Sequence, residues 1–233
     1  MKIIRELIRK LKYNFNFLGR KEKLSFTYIS SSNGSNQLTN LMNFYGSDKG
    51  GINNHHNYTN YYSEIFLYKK NIIKNFLEIG LGTNDHKIVS NMGKEGVPLA
   101  SLRAWRDYFI NANIYGADVD KNILKNEDRI KTFYVDQTDP KSINELFVSI
   151  GDIKFDVILD DGLHQYDANI CFFENAIKHL QKDGIYIIED VYYKNQSKFI
   201  NYFKKKNYNF SLINIYHEHN IKDNCLITIN NNR

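Results

Sequence analysis

The sequence predicts an α/β fold built on a mostly parallel sheet with helices on both faces and an antiparallel hairpin at its end. Three observations carry this. From residue 76 onward, short apolar runs that end in glycine or an acid alternate with amphipathic stretches of helical period. The last two runs, Asn209–Tyr216 and Asn224–Ile229, have no helix between them. Parallel neighbours need a long crossover, whereas an antiparallel pair closes through a short loop. The length, 233 residues, suits one sizeable domain with a full core.

Taken in order, residues 1–18 are basic and amphipathic and predict a helix with Ile4, Leu7, Ile8 and Leu11 on one face. Packing on the domain is the ordinary use of such a stripe, with contact to a membrane surface the weaker alternative. Residues 19–40 are polar, with Ser30–Asn36 as a loop, and Gly46–Gly51 reads as a turn. A helix is expected over Thr59–Lys74, with Ile65, Leu67, Tyr68, Ile72 and Ile73 on its apolar side. Residues 1–60 thus form a helical and loop extension over the site, and 61–233 the sheet domain. In that domain strands are expected at Phe76–Ile79, Asn113–Val119, Thr132–Val135, Phe155–Leu159 and Ile185–Ile188. With the final hairpin these make seven. Helices are expected at 99–111, Pro140–Ile150, Asp167–Lys182 (with Gly184 closing it) and Ser197–Lys206.

Composition narrows the function classes. The chain is 42% hydrophobic and 24% charged, an ordinary soluble balance. Its net charge of +5 comes from scattered lysines with one short run at Lys204–Lys206, not a basic stripe interleaved with aromatics, so a nucleic-acid partner is not expected. The two cysteines, Cys171 and Cys225, read as buried thiols suited to a reducing cytoplasm. No apolar run approaches the roughly 20 residues of a membrane span, and no secretory leader is apparent.

The strand ends carry the chemistry. FLEIGLGTND places Glu78, Gly80 and Gly82 at the end of the first core strand, where ligands bind in open α/β sheets. A dinucleotide fingerprint needs a third glycine where Asp85 stands, and the next strand-end acid lies too far along, so NAD is disfavoured. Asp118, or its neighbour Asp120 should the strand run longer, offers a carboxylate to ribose hydroxyls. Asp136 with Gln137 offers acceptors and donors to an adenine. Acceptors at three strand ends suit an adenosine without phosphates.

The fourth and fifth strands end FDVILDDGLH and GIYIIED. As neighbours about 4.8 Å apart, they bring Asp161, Glu189 and Asp190 together, with Asp160 beside the cofactor. Crowded carboxylates repel, and a divalent cation with oxygen ligands, Mg²⁺ or Mn²⁺, relieves the repulsion. His164 lies three residues after Asp161 and suits general-base work near neutrality. His55, His56, His217 and His219 are read as structural or gating.

LEIGLG, YGADVD, DDGLHQYD and IIEDV, preceded by GSDKG…HNYTNYYSEIF and SLRAWRDYF, together resemble the metal-dependent sugar O-methyltransferases of macrolide biosynthesis and of surface-polysaccharide pathways, over residues 44–192. The resemblance implies a Rossmann-like class I methyltransferase fold, S-adenosylmethionine and Mg²⁺. It implies Asp161, Glu189 and Asp190 as metal ligands, His164 as base with Asp161 beside it, and Glu78, Gly80, Asp118, Asp136 and Gln137 at the cofactor, to which the strand-end reading adds Gly82 and Asp160. Tyr58 and Thr59 would close over its methionine end, and Tyr166 would line the acceptor pocket. The acceptor expected is a small sugar, preferably a nucleotide-linked hexose or heptose of a capsule. A homo-oligomer is left open. Two other readings stay open as well: a metal-independent methyltransferase for an amine or small metabolite, and a nucleotide-binding protein without turnover.

Overall fold

In the computed structural model, residues 25–29, 36–51, 55–220 and 222–231 are described. The helix expected over residues 1–18 and nearly all of the 30–36 loop fall outside them. The strands are β1 (Ser25–Tyr28), β2 (Asn75–Ile79), β3 (Asn113–Asp118), β4 (Ile130–Tyr134), β5 (Phe155–Asp160), β6 (Leu180–Ile188), β7 (Asn209–Ile215) and β8 (Cys225–Asn230). They form one sheet in the order β1-β7-β8-β6-β5-β2-β3-β4. Only the pairs β6–β8 and β7–β8 are antiparallel. The expected mostly parallel sheet with a closing hairpin is therefore present, with eight strands instead of seven. The extra strand, SFTY, pairs parallel with β7 from the stretch read as polar loop. Four residues with one phenylalanine are too short to show a strand period.

The helices are α1 (Gln37–Tyr45), α2 (Thr59–Ile65), α3 (Ala100–Tyr108), α4 (Pro140–Ile150), α5 (Tyr166–Ala176) and α6 (Gln196–Lys205). Apolar side chains on alternate strand residues feed two cores. Phe76, Ile187 and Leu226 face Tyr62, Phe66 and Trp105 on one side of the sheet. Leu77, Ile188 and Ile227 face Phe172, Phe173, Phe199 and Phe203 on the other. Helix α4 starts as its sequence requires, with Pro140 in the first turn and the Asp139 carboxylate accepting from the Lys141 N–H at 2.9 Å.

Two helices are shorter than expected. Helix α2 stops at Ile65, and the chain continues in turns, leaving Leu67, Tyr68 and Ile72 on the surface. Their spacing imitates an apolar stripe, but among the described residues they stay exposed. Helix α5 stops at Ala176, and after a 3₁₀ turn Leu180 already opens β6, so Gly184 lies inside a strand and caps no helix. Cys225 is buried as expected, whereas Cys171 is half-buried on α5 and its thiol faces the Thr138 carbonyl.

Candidate active site

Strand order reverses around β2, which has β5 on one side and β3 on the other. The carboxyl ends of these strands open onto a cavity of about 900 Å³. One wall is the turn after β2. Gly80 and Gly82 both hold left-handed backbone, at φ +85° and +77°. A side chain on Gly80 would strike the Asp161 carbonyl, and one on Gly82 would strike Met92. Conformation favours glycine at both positions, and at Gly80 contact with the Asp161 backbone requires it as well. The same cavity is lined by Asp118, Asp136, Gln137, Asp161, His164 and Asp190.

Several of the predicted cofactor residues have their polar atoms committed to the protein. Asp118 accepts from the backbone N–H groups of Leu81 at 2.6 Å and Asp120 at 2.8 Å. It holds the glycine turn in place, and burial pushes its carboxyl upward. Asp120 accepts from the Thr83 hydroxyl and the Asn122 N–H. Gln137 donates to Asp160 at 2.7 Å and accepts from the Leu163 N–H at 2.8 Å. Asp160 is fully buried beneath the cavity instead of on its wall, and burial raises it to about 6. Asp136 accepts from Thr138 through Oδ1. Glu78 is also fully buried, is raised by burial to about 7, and neither of its oxygens completes a hydrogen bond.

At the tips of β5 and β6 the expected carboxylates converge, divided into two groups. Asp161, His164 and Asp190 offer ligand atoms within 4.8 Å of one another. His164 Nε2 stands 3.8 Å from Asp190 Oδ2, and His164 Nδ1 is buried without a partner. Both residues hold left-handed backbone, φ +57° and +53°, which costs a non-glycine residue free energy and concentrates at functional sites. Asp190 also accepts from the Tyr58 hydroxyl at 2.5 Å, with His56 Nδ1 at 3.5 Å. Burial works to raise Asp190, but His56, His164 and the Tyr58 hydroxyl together hold it below the usual aspartate value.

Glu189 belongs to the second group. It turns away from that trio and accepts from the Tyr62 hydroxyl at 2.5 Å and from Lys49 Nζ at 2.5 Å. Lys49 also donates to Asp161 and lies 3.4 Å from Glu78. Burial raises Glu189 to about 8 against the opposing pull of Lys49. Lys49 itself is 2% exposed. The local sequence aims it inward. Helix α1 ends at Gly46 in left-handed backbone, and the Ser47 N–H returns to the Met42 carbonyl. The 3₁₀ turn Asp48–Gly50 follows, its Gly50 pressed so closely on Asn43 that a Cβ there would collide. The sequence singles out GSDKG as a motif without assigning its lysine.

The remaining expected residues lie elsewhere. Tyr58 is buried and reaches Asp190 and the Asp223 carbonyl, not the cavity wall. Thr59 is buried and shares a 2.7 Å hydroxyl contact with Thr39, fastening α2 to α1. Tyr166 packs edge-on against Phe199, away from the cavity. His55 is exposed on the cavity rim, His56 joins Asn224 at 3.1 Å, and His217 accepts two backbone N–H groups in its own turn.

This strand order, with a ligand-sized cleft at the point where it reverses, defines the Rossmann-like class I methyltransferase fold. No protein-family model matches the chain. It is 32% identical to the 8-demethyl-8-alpha-L-rhamnosyl tetracenomycin-C 2'-O-methyltransferase of Streptomyces olivaceus, over 66% of this chain and 37% of that one. It is 29% identical to the demethylmacrocin O-methyltransferase of Streptomyces fradiae, over 76% and 42%. Among solved structures, the MycE methyltransferase of the mycinamycin biosynthetic pathway, in complex with Mg, SAH and mycinamycin VI, superposes with a TM-score of 0.55 at 28% identity, over 67% of this chain and 37% of that one. The chain is thus similar to these O-methyltransferases, and it spans about two-fifths of the length of the curated relatives it matches.

Proposed function

We propose that the chain transfers the methyl group of S-adenosylmethionine to a sugar hydroxyl with the help of Mg²⁺. One observation carries this: Asp161, His164 and Asp190 meet within 4.8 Å at two adjacent strand tips and line the same cavity as the Gly80–Gly82 turn, whose Gly80 packs on the Asp161 backbone. The residues fit both absent groups. Asp161 and Asp190 present hard oxygen donors for a divalent cation, with His164 beside them and Glu189 one residue away. Among the described residues neither Glu78 oxygen completes a hydrogen bond, the nearest cation being Lys49 at 3.4 Å, and a buried carboxylate so placed two residues before Gly80 suits a cationic amino-acid end of the cofactor. When bound, the metal favours ionisation of a neighbouring hydroxyl, and the sulfonium supplies an electrophilic methyl.

His164 accepts the acceptor's proton at Nε2. The 3.8 Å gap to Asp190 is too long for a hydrogen bond, so the nitrogen lone pair is not committed there. Asp190 then faces the imidazolium and stabilises it. Gln137, holding Asp160 and Leu163, fixes the loop from which His164 projects. Asp118 fixes the glycine turn. The preferred acceptor is a nucleotide-linked hexose or heptose of the kind used for surface polysaccharide. The chain's net charge of +5 is compatible with an anionic acceptor. The free cysteines suit a cytoplasmic setting, and among the described residues no helix is long and apolar enough to cross a membrane.

Methyl transfer from labelled S-adenosylmethionine to a panel of nucleotide sugars tests this, with EDTA treatment followed by Mg²⁺. Labelled sugar, lost on chelation and restored by Mg²⁺, is the expected result. Undiminished transfer after chelation removes the metal from the scheme, and transfer to amines alone replaces the acceptor class.

A further inference from the structure

Lys49 touches three carboxylates that arrive from three different strand ends. Its ammonium donates to Asp161 and Glu189 and lies 3.4 Å from Glu78, in a pocket that leaves it 2% exposed. An ammonium has three donors, and here three acidic residues surround it. No other lysine or arginine among the described residues pairs with any of these acids. Asp161 also belongs to the group with His164 and Asp190 that offers ligand atoms for a metal. The same carboxylate is thus placed to serve a fixed cation on one side and an exchangeable one on the other.

We propose that Lys49 is a tethered cation that competes with the divalent metal for Asp161 and Glu189, so that metal loading is a cation exchange inside the site. The inference rests on the metal-dependent reading above. Without metal, the ammonium keeps two strand-tip acids close together that would otherwise repel each other across the sheet. When metal enters, Asp161 and Glu189 redirect oxygens toward it, and the flexible four-carbon stem of Lys49 lets the ammonium give ground without moving the backbone. Two cations sharing one ligand set weaken each other's hold. The lysine therefore lowers metal affinity while it stabilises the metal-free fold. A lysine that merely filled space beside a finished metal site would affect the second property but not the first.

The test is calorimetric titration of the metal-free protein with Mg²⁺, together with melting curves with and without Mg²⁺, for wild type and Lys49→Met. S-adenosylhomocysteine binding checks the fold of each. Removing the competitor should tighten Mg²⁺ binding about tenfold or more, the scale of coupling between linked ligands. It should also lower the melting temperature of the metal-free protein and enlarge the gain on adding Mg²⁺. If Lys49→Met is folded only with Mg²⁺ present, that is the same result in its extreme form. If Lys49→Met cannot be obtained folded at all, Lys49→Arg decides. Its guanidinium grips carboxylates with two parallel hydrogen bonds and should weaken Mg²⁺ binding several-fold, about the lower end of the same coupling range. Equal or weaker Mg²⁺ affinity in folded Lys49→Met, or unchanged affinity in Lys49→Arg, overturns the proposal and leaves the metal site standing. Absence of Mg²⁺ binding in wild type and variants alike removes the metal-dependent reading itself.

Discussion

The acids at the tips of β2, β5 and β6 form two groups that share Asp161 yet live in opposite conditions. On the open side, Asp190 is ringed by His56, His164 and the Tyr58 hydroxyl and borders the cavity. On the sealed side, Glu78 and Glu189 are buried around Lys49, a single cation for several negative groups. The consequence is visible in their proton affinities. Asp190 is held below the usual aspartate range, whereas Glu78 rises to about 7 and Glu189 to about 8. Carboxylates at one sheet edge are thus set as a ready anion or a reluctant one by how far nearby cations and donors offset the cost of burial. On the proposed reading the open side performs the chemistry, and the sealed side holds the sheet edge together around Lys49.

If that division holds, the largest effect belongs to the open side. His164→Ala should lower turnover by about 10²–10⁴, the range for loss of a general base, while S-adenosylhomocysteine affinity stays near wild type. Calorimetry beside a methyl-transfer assay measures both, and loss of cofactor affinity would move His164 into the framework. The sealed side should answer to pH instead. The folded value of Glu78, about 7, lies above its ordinary 4.5. The folded state therefore holds a proton that the unfolded chain releases between those two values. The stability contributed is complete below about 4.5 and is lost as pH rises through 7. Each tenfold difference in proton affinity between the two states is worth about 1.4 kcal/mol. In EDTA the melting temperature should fall from pH 5 to pH 8, and Glu78→Gln should flatten that slope. An unchanged slope would place the proton elsewhere.

Much of this edge is legible because apolar runs that end abruptly in acids mark strand tips: FLEIG, FDVILDD and GIYIIED are all β-strands followed by the site. What stays hidden depends on distance along the chain. Lys49 lies 112 residues from Asp161 and 140 from Glu189, in a turn with no period to read. Glu189 faces Tyr62 and Lys49 while its neighbour Asp190, in left-handed backbone, faces the cavity, and partners as distant as Tyr62 and Lys49 leave no trace in the local pattern. Asp118 reads as a free ribose ligand because the Leu81 N–H, 37 residues back in the chain, becomes its neighbour only when the glycine turn folds over β3. Tyr166 and Thr59, expected at the site by motif, pack on neighbouring helices.

The finest test uses two tyrosines four positions apart at the start of α2, each giving its hydroxyl to a different group. Tyr58 donates to Asp190 on the open side and Tyr62 to Glu189 on the sealed side, both at 2.5 Å. Replacement by phenylalanine removes one oxygen and keeps the ring, so packing against Trp105 and Phe66 survives at Tyr62. Tyr62→Phe leaves a fully buried carboxylate one donor short and should cost about 1–3 kcal/mol in denaturant unfolding. Turnover per folded molecule should hardly change. Tyr58→Phe frees an oxygen on an acid that keeps two histidines beside it, so its stability cost should be the smaller. Its effect should show instead in turnover and in Mg²⁺ affinity, since the freed oxygen borders the cavity. Should the two variants exchange signatures, with Tyr62→Phe losing turnover and Tyr58→Phe losing only stability, then Glu189 and not Asp190 would be the acid that faces the reaction.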